Sequence, residues 1–135
     1  MNSEQMYAES ILDYYRNPRN KGNLENPDIS SKDVNPMCGD IVEINANVND
    51  DYIKEIKFNG KGCVISQASA SLLTESVLNK NIKEIRNISK EDIFEILGIS
   101  ISPMRLKCAL LPLKVLKLGL YKYLGEKFEE NGFEE

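Results

Sequence analysis

Apolar positions recur at helical spacing near the start of the chain. Tyr7, Ile11, Tyr14 and Tyr15 share one side of a 3.6-residue period over residues 6–16. Asn17-Pro18 sets the end of that helix, because a residue preceding proline is pushed out of the α region. The next stretch, NPRNKGNLENPDISSKDVNP, is rich in Asn, Pro, Gly, Asp and Ser and poor in apolar residues, the composition of an irregular connection. Residues 17–37 are therefore expected as one long mobile loop, of a length that is more often functional than neutral in a small domain.

The period then changes to two. Val42, Ile44, Ala46 and Val48 alternate strictly with polar residues, as in a strand with one buried face, and Asn49-Asp50 opens a turn. Ile53 to Phe58 offers a second strand and Gly62-Cys63-Val64-Ile65 a short third. Connections this short allow only an antiparallel meander. From Ser66 the pattern is helical, with Ser66 as the cap of a helix to about Leu78 and Ala68, Leu72, Leu73 and Val77 facing inward. Ser89-Lys90-Glu91-Asp92 resembles a capping box opening a short helix through Ile96. Ser102-Pro103 starts a long helix with Leu106, Leu110, Leu113, Leu116 and Leu120 in one stripe and Pro112 as an expected kink. The acidic residues 126–135 are expected to fray. Strands followed by helices, without repeat or linker, make one α+β domain over residues 1–135.

Composition narrows the chemistry. The 135 residues carry 17 Lys plus Arg against 21 Asp plus Glu, a net charge of −4, which argues against a nucleic-acid partner needing a concentrated basic face. No apolar run approaches the ~18 residues of a membrane span, and the N-terminus lacks the apolar stretch of a signal peptide, so a cytoplasmic location is expected. The absence of histidine matters most: it removes the usual general base, proton shuttle and commonest metal ligand together. Any metal must then be held by thiolates, carboxylates, backbone or an outside molecule.

Three cysteines, Cys38, Cys63 and Cys108, are too few and too oddly numbered for a disulfide framework and too widely spaced for a CxxC knuckle. Cys38 lies in a Pro-Met-Cys-Gly-Asp turn, where a thiol is presented rather than packed. Asp40, two residues on, either closes that turn through a backbone N–H or shares a coordination site with Cys38. Cys63, after Gly60-Lys61-Gly62 and ahead of a helix, is either a packed strand-end residue or a thiol stabilised as thiolate by the helix N-terminus and Lys61. Cys108 is expected to point away from the leucine stripe, beside Arg105 and Lys107. Three thiols and one carboxylate make a four-ligand set selecting zinc or an iron–sulfur cluster over magnesium or calcium.

The segments Asn35 to Asp40, Gly60 to Ser71 and Ser102 to Leu111, in that order, resemble the three cysteine motifs of the IscU/NifU/SufU scaffold family, and residues 7–22 fit its N-terminal segment. The resemblance covers nearly the whole chain. It implies a SufE/NifU-like α+β fold, a small antiparallel sheet of about three strands with helices on one face. It also implies that Cys38, Cys63 and Cys108 are cluster ligands and sulfur acceptors; the neighbouring cations, read from the sequence itself, favour Cys108 as the first acceptor. Asp40 would be an exchangeable fourth ligand, and Lys107, Arg105 and Lys61 auxiliary cations. The implied function is a non-enzymatic scaffold. It accepts sulfur from a PLP-dependent cysteine desulfurase, binds iron, builds a transient [2Fe–2S] cluster and passes it to acceptor proteins. The alternative is a zinc-bearing persulfide acceptor that hands sulfur on, with zinc as the resting metal.

The chain departs from the family pattern in two places. Lys107 stands where many IscU members carry histidine, and Ile101 to Lys107 replaces their Leu-Pro-Pro-Val-Lys motif, so docking to a dedicated Hsp70-type chaperone does not carry over. The third motif is SufU-like, yet the 44 residues between Cys63 and Cys108 leave no room for SufU's usual insertion. The chain reads as a short scaffold.

Overall fold

A computed structural model describes residues 3–128, with side chains from residue 9 onward. Helix α1 (Ser3–Arg16) leads into strands β1 (Ile29–Asn35), β2 (Asp40–Asn49) and β3 (Tyr52–Lys61), and these into helices α2 (Val64–Val77), α3 (Ile82–Arg86) and α4 (Lys90–Leu97). A single 3-10 turn, Pro103–Arg105, precedes the long helix α5 (Leu106–Leu124). The three strands form an antiparallel meander in chain order. The fold is the expected α+β class.

Strand register decides what faces inward. Ile29, Ala46 and Ile56 form one cross-strand row, and Ser31, Ile44 and Phe58 the next. Because side chains alternate with period two, the same face continues through Val42 and reaches Asp40 opposite Asn35. Helices α2 and α5 cover this face, and their Leu73, Val77, Leu113, Leu116 and Leu120 are buried against it. Close approach of α5 to β1 needs Gly119: a Cβ there would stand 2.8 Å from Ile29 Cγ2. Helix α1 is fastened to α2 by Tyr14, whose hydroxyl donates to Glu75 at 3.0 Å, while the Arg19 guanidinium stacks 3.9 Å above the same ring.

Several expectations need correction. Residues 17–37 are not one irregular loop. Asn20 and Gly22 exchange backbone hydrogen bonds of 2.9 Å with Phe58 along the free edge of β3, and residues 29–35 are the third strand. That strand is hidden in the sequence because its inward positions include Ser31, Asp33 and Asn35, with Asp33 paired to Lys114 at 3.1 Å. Gly62–Ile65 is no strand: the chain turns at Gly62, and Cys63 rather than Ser66 caps α2. Ser102 makes no side-chain cap, and the 3-10 turn intervenes before α5, which then runs through Pro112. The five-residue α3, opened by an Asn81–Glu84 capping box, was not anticipated. The Ser89–Asp92 box forms as expected, with bonds of 2.8 and 3.2 Å.

Of the tail expected to fray, 126–128 is held instead. The Glu126 N–H donates to Tyr121 O, its carboxylate pairs with Arg86 at 3.0 Å, and Phe128 meets Tyr121 edge-on. Residues 129–135 lie outside the described residues. Among the described residues no helix is long and apolar enough to cross a membrane.

Candidate metal centre

The loop between β1 and β2 is built around Asn35. Its carbonyl accepts the N–H groups of Cys38 (3.2 Å) and Gly39 (2.8 Å), and its side-chain oxygen accepts that of Met37 at 3.2 Å. This tight turn leaves Cys38 exposed. Asp40 begins β2 in phase with Val42, Ile44 and Ala46, so its carboxylate is carried into the interior and is fully buried.

Cys63 is the N-cap of α2. Its sulfur accepts the Ser66 N–H at 3.4 Å, which brings the positive end of the helix dipole onto that atom. Its own N–H donates to Asp40 Oδ1 at 2.8 Å, and Cys63 Sγ lies 3.9 Å from Asp40 Oδ2. Gly62, at φ +152°, makes this possible, because a Cβ there would overlap Asp40 Oδ1. Asp40 therefore both closes the local backbone and faces the thiols; the two roles weighed for it coexist.

Cys108 corrects the expectation that it points away from the core: it is 1% exposed. A stripe argument assumes a helix with one wet side. In the first half of α5 that side is narrow: Lys107 is exposed, but Cys108 through Leu113 are all buried against the β1–β2 turn and α2. Ser69 of α2 fixes that packing, its hydroxyl donating to the Ala109 carbonyl at 2.7 Å.

The four candidates converge. Cys108 Sγ and Cys38 Sγ are 3.3 Å apart, and with an Asp40 oxygen they form a group whose ligand atoms all lie within 4.8 Å of one another. Cys63 joins it through Asp40. Burial pushes the Cys108 thiol well above its ordinary range, and its hydrogen bonds with Asp40 and Cys38 and the nearby Cys63 push the same way. Two thiolates on a tetrahedral zinc stand about 3.8 Å apart, from Zn–S bonds of about 2.3 Å. The sulfur pair thus needs to open by only about half an ångström to fit such an ion. The donor set, sulfur with one hard oxygen, suits zinc or iron–sulfur chemistry.

The auxiliary cations lie further out. Lys61, Arg105 and Lys107 are exposed, Lys107 on the wall of a cleft of about 270 Å³ with Val34, Pro36, Met37, Leu110 and Lys114. Sequence reasoning missed two polar residues, one beside a thiol and one in the first turn of α2. Asn35 donates to Cys108 Sγ at 3.8 Å; its signal was the period-two register, which pairs it with Asp40. Gln67 is buried, donates to Ser66 Oγ at 3.2 Å, and its Oε1 has no hydrogen-bond partner among the described residues. A lone Gln after a capping position carries no such signal.

The NifU-like N terminal domain matches residues 6–130. The chain belongs to that family. Among its relatives, a "Zinc-dependent sulfurtransferase SufU" of Bacillus subtilis is 36% identical over 141 positions, covering 92% of this chain and 95% of the relative. An "Iron-sulfur cluster assembly scaffold protein IscU" of Escherichia coli (strain K12) is 34% identical over 125 positions, covering 90% and 96%. The crystal structure of a putative iron-sulfur cluster assembly scaffold protein for the SUF system from Fervidobacterium islandicum superimposes with a TM-score of 0.75 at 31% identity, over 88% of this chain and 99% of that one. The relatives of this NifU-like domain thus bear both kinds of name, scaffold and sulfurtransferase. Alignment lengths separate them: 92% of 135 residues is about 124, so about 17 of the 141 SufU positions have no counterpart here, against about 3 of 125 for the IscU relative.

Proposed function

We propose that this chain is a scaffold on which a [2Fe–2S] cluster is assembled at Cys38, Asp40, Cys63 and Cys108. The observation that carries the reading is the convergence of three free thiols on one buried carboxylate. A permanent store would use a fourth thiolate; a carboxylate oxygen is a harder, more exchangeable partner for iron and lets the product leave.

Sulfur comes from a cysteine desulfurase. The exposed Cys38 sulfur attacks the outer sulfur of the donor's persulfide, the donor's S–S bond breaks, and the donor leaves as thiolate. Cys38 replaces Cys108 as the first acceptor, because Cys108 is buried; at 3.3 Å it is placed to receive sulfur from Cys38. Asp40 and Cys63 then hold iron. Electrons come from a separate reductant, and an iron–sulfur acceptor protein takes the product. Three working thiols require a compartment that keeps them reduced, which supports a cytoplasmic location.

A zinc-bearing sulfur carrier is the second reading, favoured by the 36% identity to the sulfurtransferase and weakened by the positions lacking counterparts here. Anaerobic mixing with Fe²⁺, cysteine and a trace of desulfurase separates the two. Sulfide-to-iron absorption bands that survive desalting and move to an apo acceptor support the scaffold. No retained bands, with persulfide on Cys38 and faster desulfurase turnover, would replace it with the zinc carrier.

A further inference from the structure

A close sulfur contact joins an exposed cysteine to a buried one. Cys38 lies at the surface on a turn whose neighbouring Met37 is 83% exposed, and Cys108 lies beneath it with 3.3 Å between the sulfurs. A disulfide bond of about 2.05 Å requires a shift of only about 1.3 Å. That shift falls on a short hairpin turn rather than on α5. Cys63 also lies near Cys108, but its sulfur accepts the Ser66 N–H and contacts Asp40.

We propose that Cys38 and Cys108 form a hydroperoxide-responsive dithiol switch that closes the metal-free site. The Cys38 sulfur attacks one peroxide oxygen, the O–O bond breaks, and sulfur is oxidised to the sulfenic acid as water or an alcohol leaves. The Cys108 sulfur then attacks the Cys38 sulfur, the S–O bond breaks, and the hydroxyl departs as water with the Cys108 proton. Two electrons pass from the two thiols to the peroxide, and hydrogen peroxide yields two waters. The bond spares Cys38 from irreversible over-oxidation, and small thiols reverse it from the exposed side. Its regulatory meaning rests on the metal-site reading above: the bond removes two of three sulfur ligands, so the oxidised form takes up no metal.

Chelator-stripped protein is treated with hydrogen peroxide, quenched with a maleimide and digested without reductant. The expected map shows one peptide joining Cys38 to Cys108 within a chain, with maleimide uptake falling from three thiols to Cys63 alone. Cys63→Ser crosslinks as the parent does, and Cys108→Ser stops at a Cys38 sulfenic acid that dimedone traps. Pairing through Cys63, a bond between two chains, or three alkylated thiols after peroxide would overturn the pairing. Zinc uptake of the two forms is measured alongside, with at least a tenfold loss of affinity expected on oxidation. Equal uptake by both would overturn the switch. No uptake by the reduced form would instead sink the metal reading, while the pairing is decided by the peptide map alone.

Discussion

The inner face of the sheet has two ends made by the same alternation and filled with opposite chemistry. At one end Ile29, Ala46, Ile56, Ile44 and Phe58 meet the apolar sides of α2 and α5, and burial alone closes the contact. At the other the same column of positions carries Asn35 and Asp40, met by Cys63 from α2 and Cys108 from the start of α5. Apolar burial is non-directional and tolerates no guest. The polar end is held by a few directional bonds, among them that of the Cys63 N–H to Asp40 and the contact of Cys108 with Cys38. On the proposed function, stability and chemistry are separated along one strand, with α5 running beneath both.

Substitutions at each end should separate accordingly. Phe58→Ala, in the apolar end, is expected to cost about 3–5 kcal/mol in denaturant unfolding, while zinc binding per folded molecule stays unchanged. Asp40→Ala should cost less, about 1–3 kcal/mol, because the Cys63 N–H loses its buried acceptor. Its functional mark is slower release of an assembled cluster to an acceptor; faster release would remove Asp40 as the exchangeable ligand. Cys38→Ser, Cys63→Ser and Cys108→Ser are each expected to abolish cluster retention with an intact circular dichroism spectrum. Unfolding of all three would assign the metal a structural role instead.

Two smaller effects sharpen the contrast. Lys117, far along α5, is also a buried charged group, but its ammonium donates to the Arg86 carbonyl at the end of α3 at 3.1 Å, as a fastener would. Burial lowers its pKa, opposed by Asp92, so the folded state sheds that proton before the unfolded state does. Stability should therefore rise for the parent relative to Lys117→Met as pH climbs from the lowered folded-state pKa to the ordinary lysine value, and stay flat on either side of that window. A difference that is flat with pH would remove the buried-charge account. Lys107→Ala, on the exposed cleft wall, should change stability by less than about 0.5 kcal/mol and act, if at all, on cluster yield.

Much of this was readable in the chain. The end of α1, the alternation of β2, the second strand and the Ser89 capping box follow from period and turn chemistry, and the lack of histidine points to the thiols and Asp40, which the fold brings near one another. The losses share a cause: local pattern assumes one buried side and ordinary cap residues. Strand β1 shows polar residues inward because it leads to the site and to Lys114; Cys108 is buried because α5 is covered on both sides there; Cys63 caps a helix with sulfur where Ser66 was the conventional choice. Extending the β2 alternation back by two residues would have assigned Asp40 to the interior.

The central claim is that the polar end of the sheet holds metal through sulfur and one carboxylate. X-ray absorption at the zinc edge, on reduced protein loaded with one equivalent of Zn²⁺, tests it most directly. The account predicts a shell dominated by sulfur at about 2.3 Å with one oxygen, losing sulfur in each Cys→Ser variant and its oxygen contribution in Asp40→Ala. A shell of light atoms only, or one that all four substitutions leave unchanged, would contradict it.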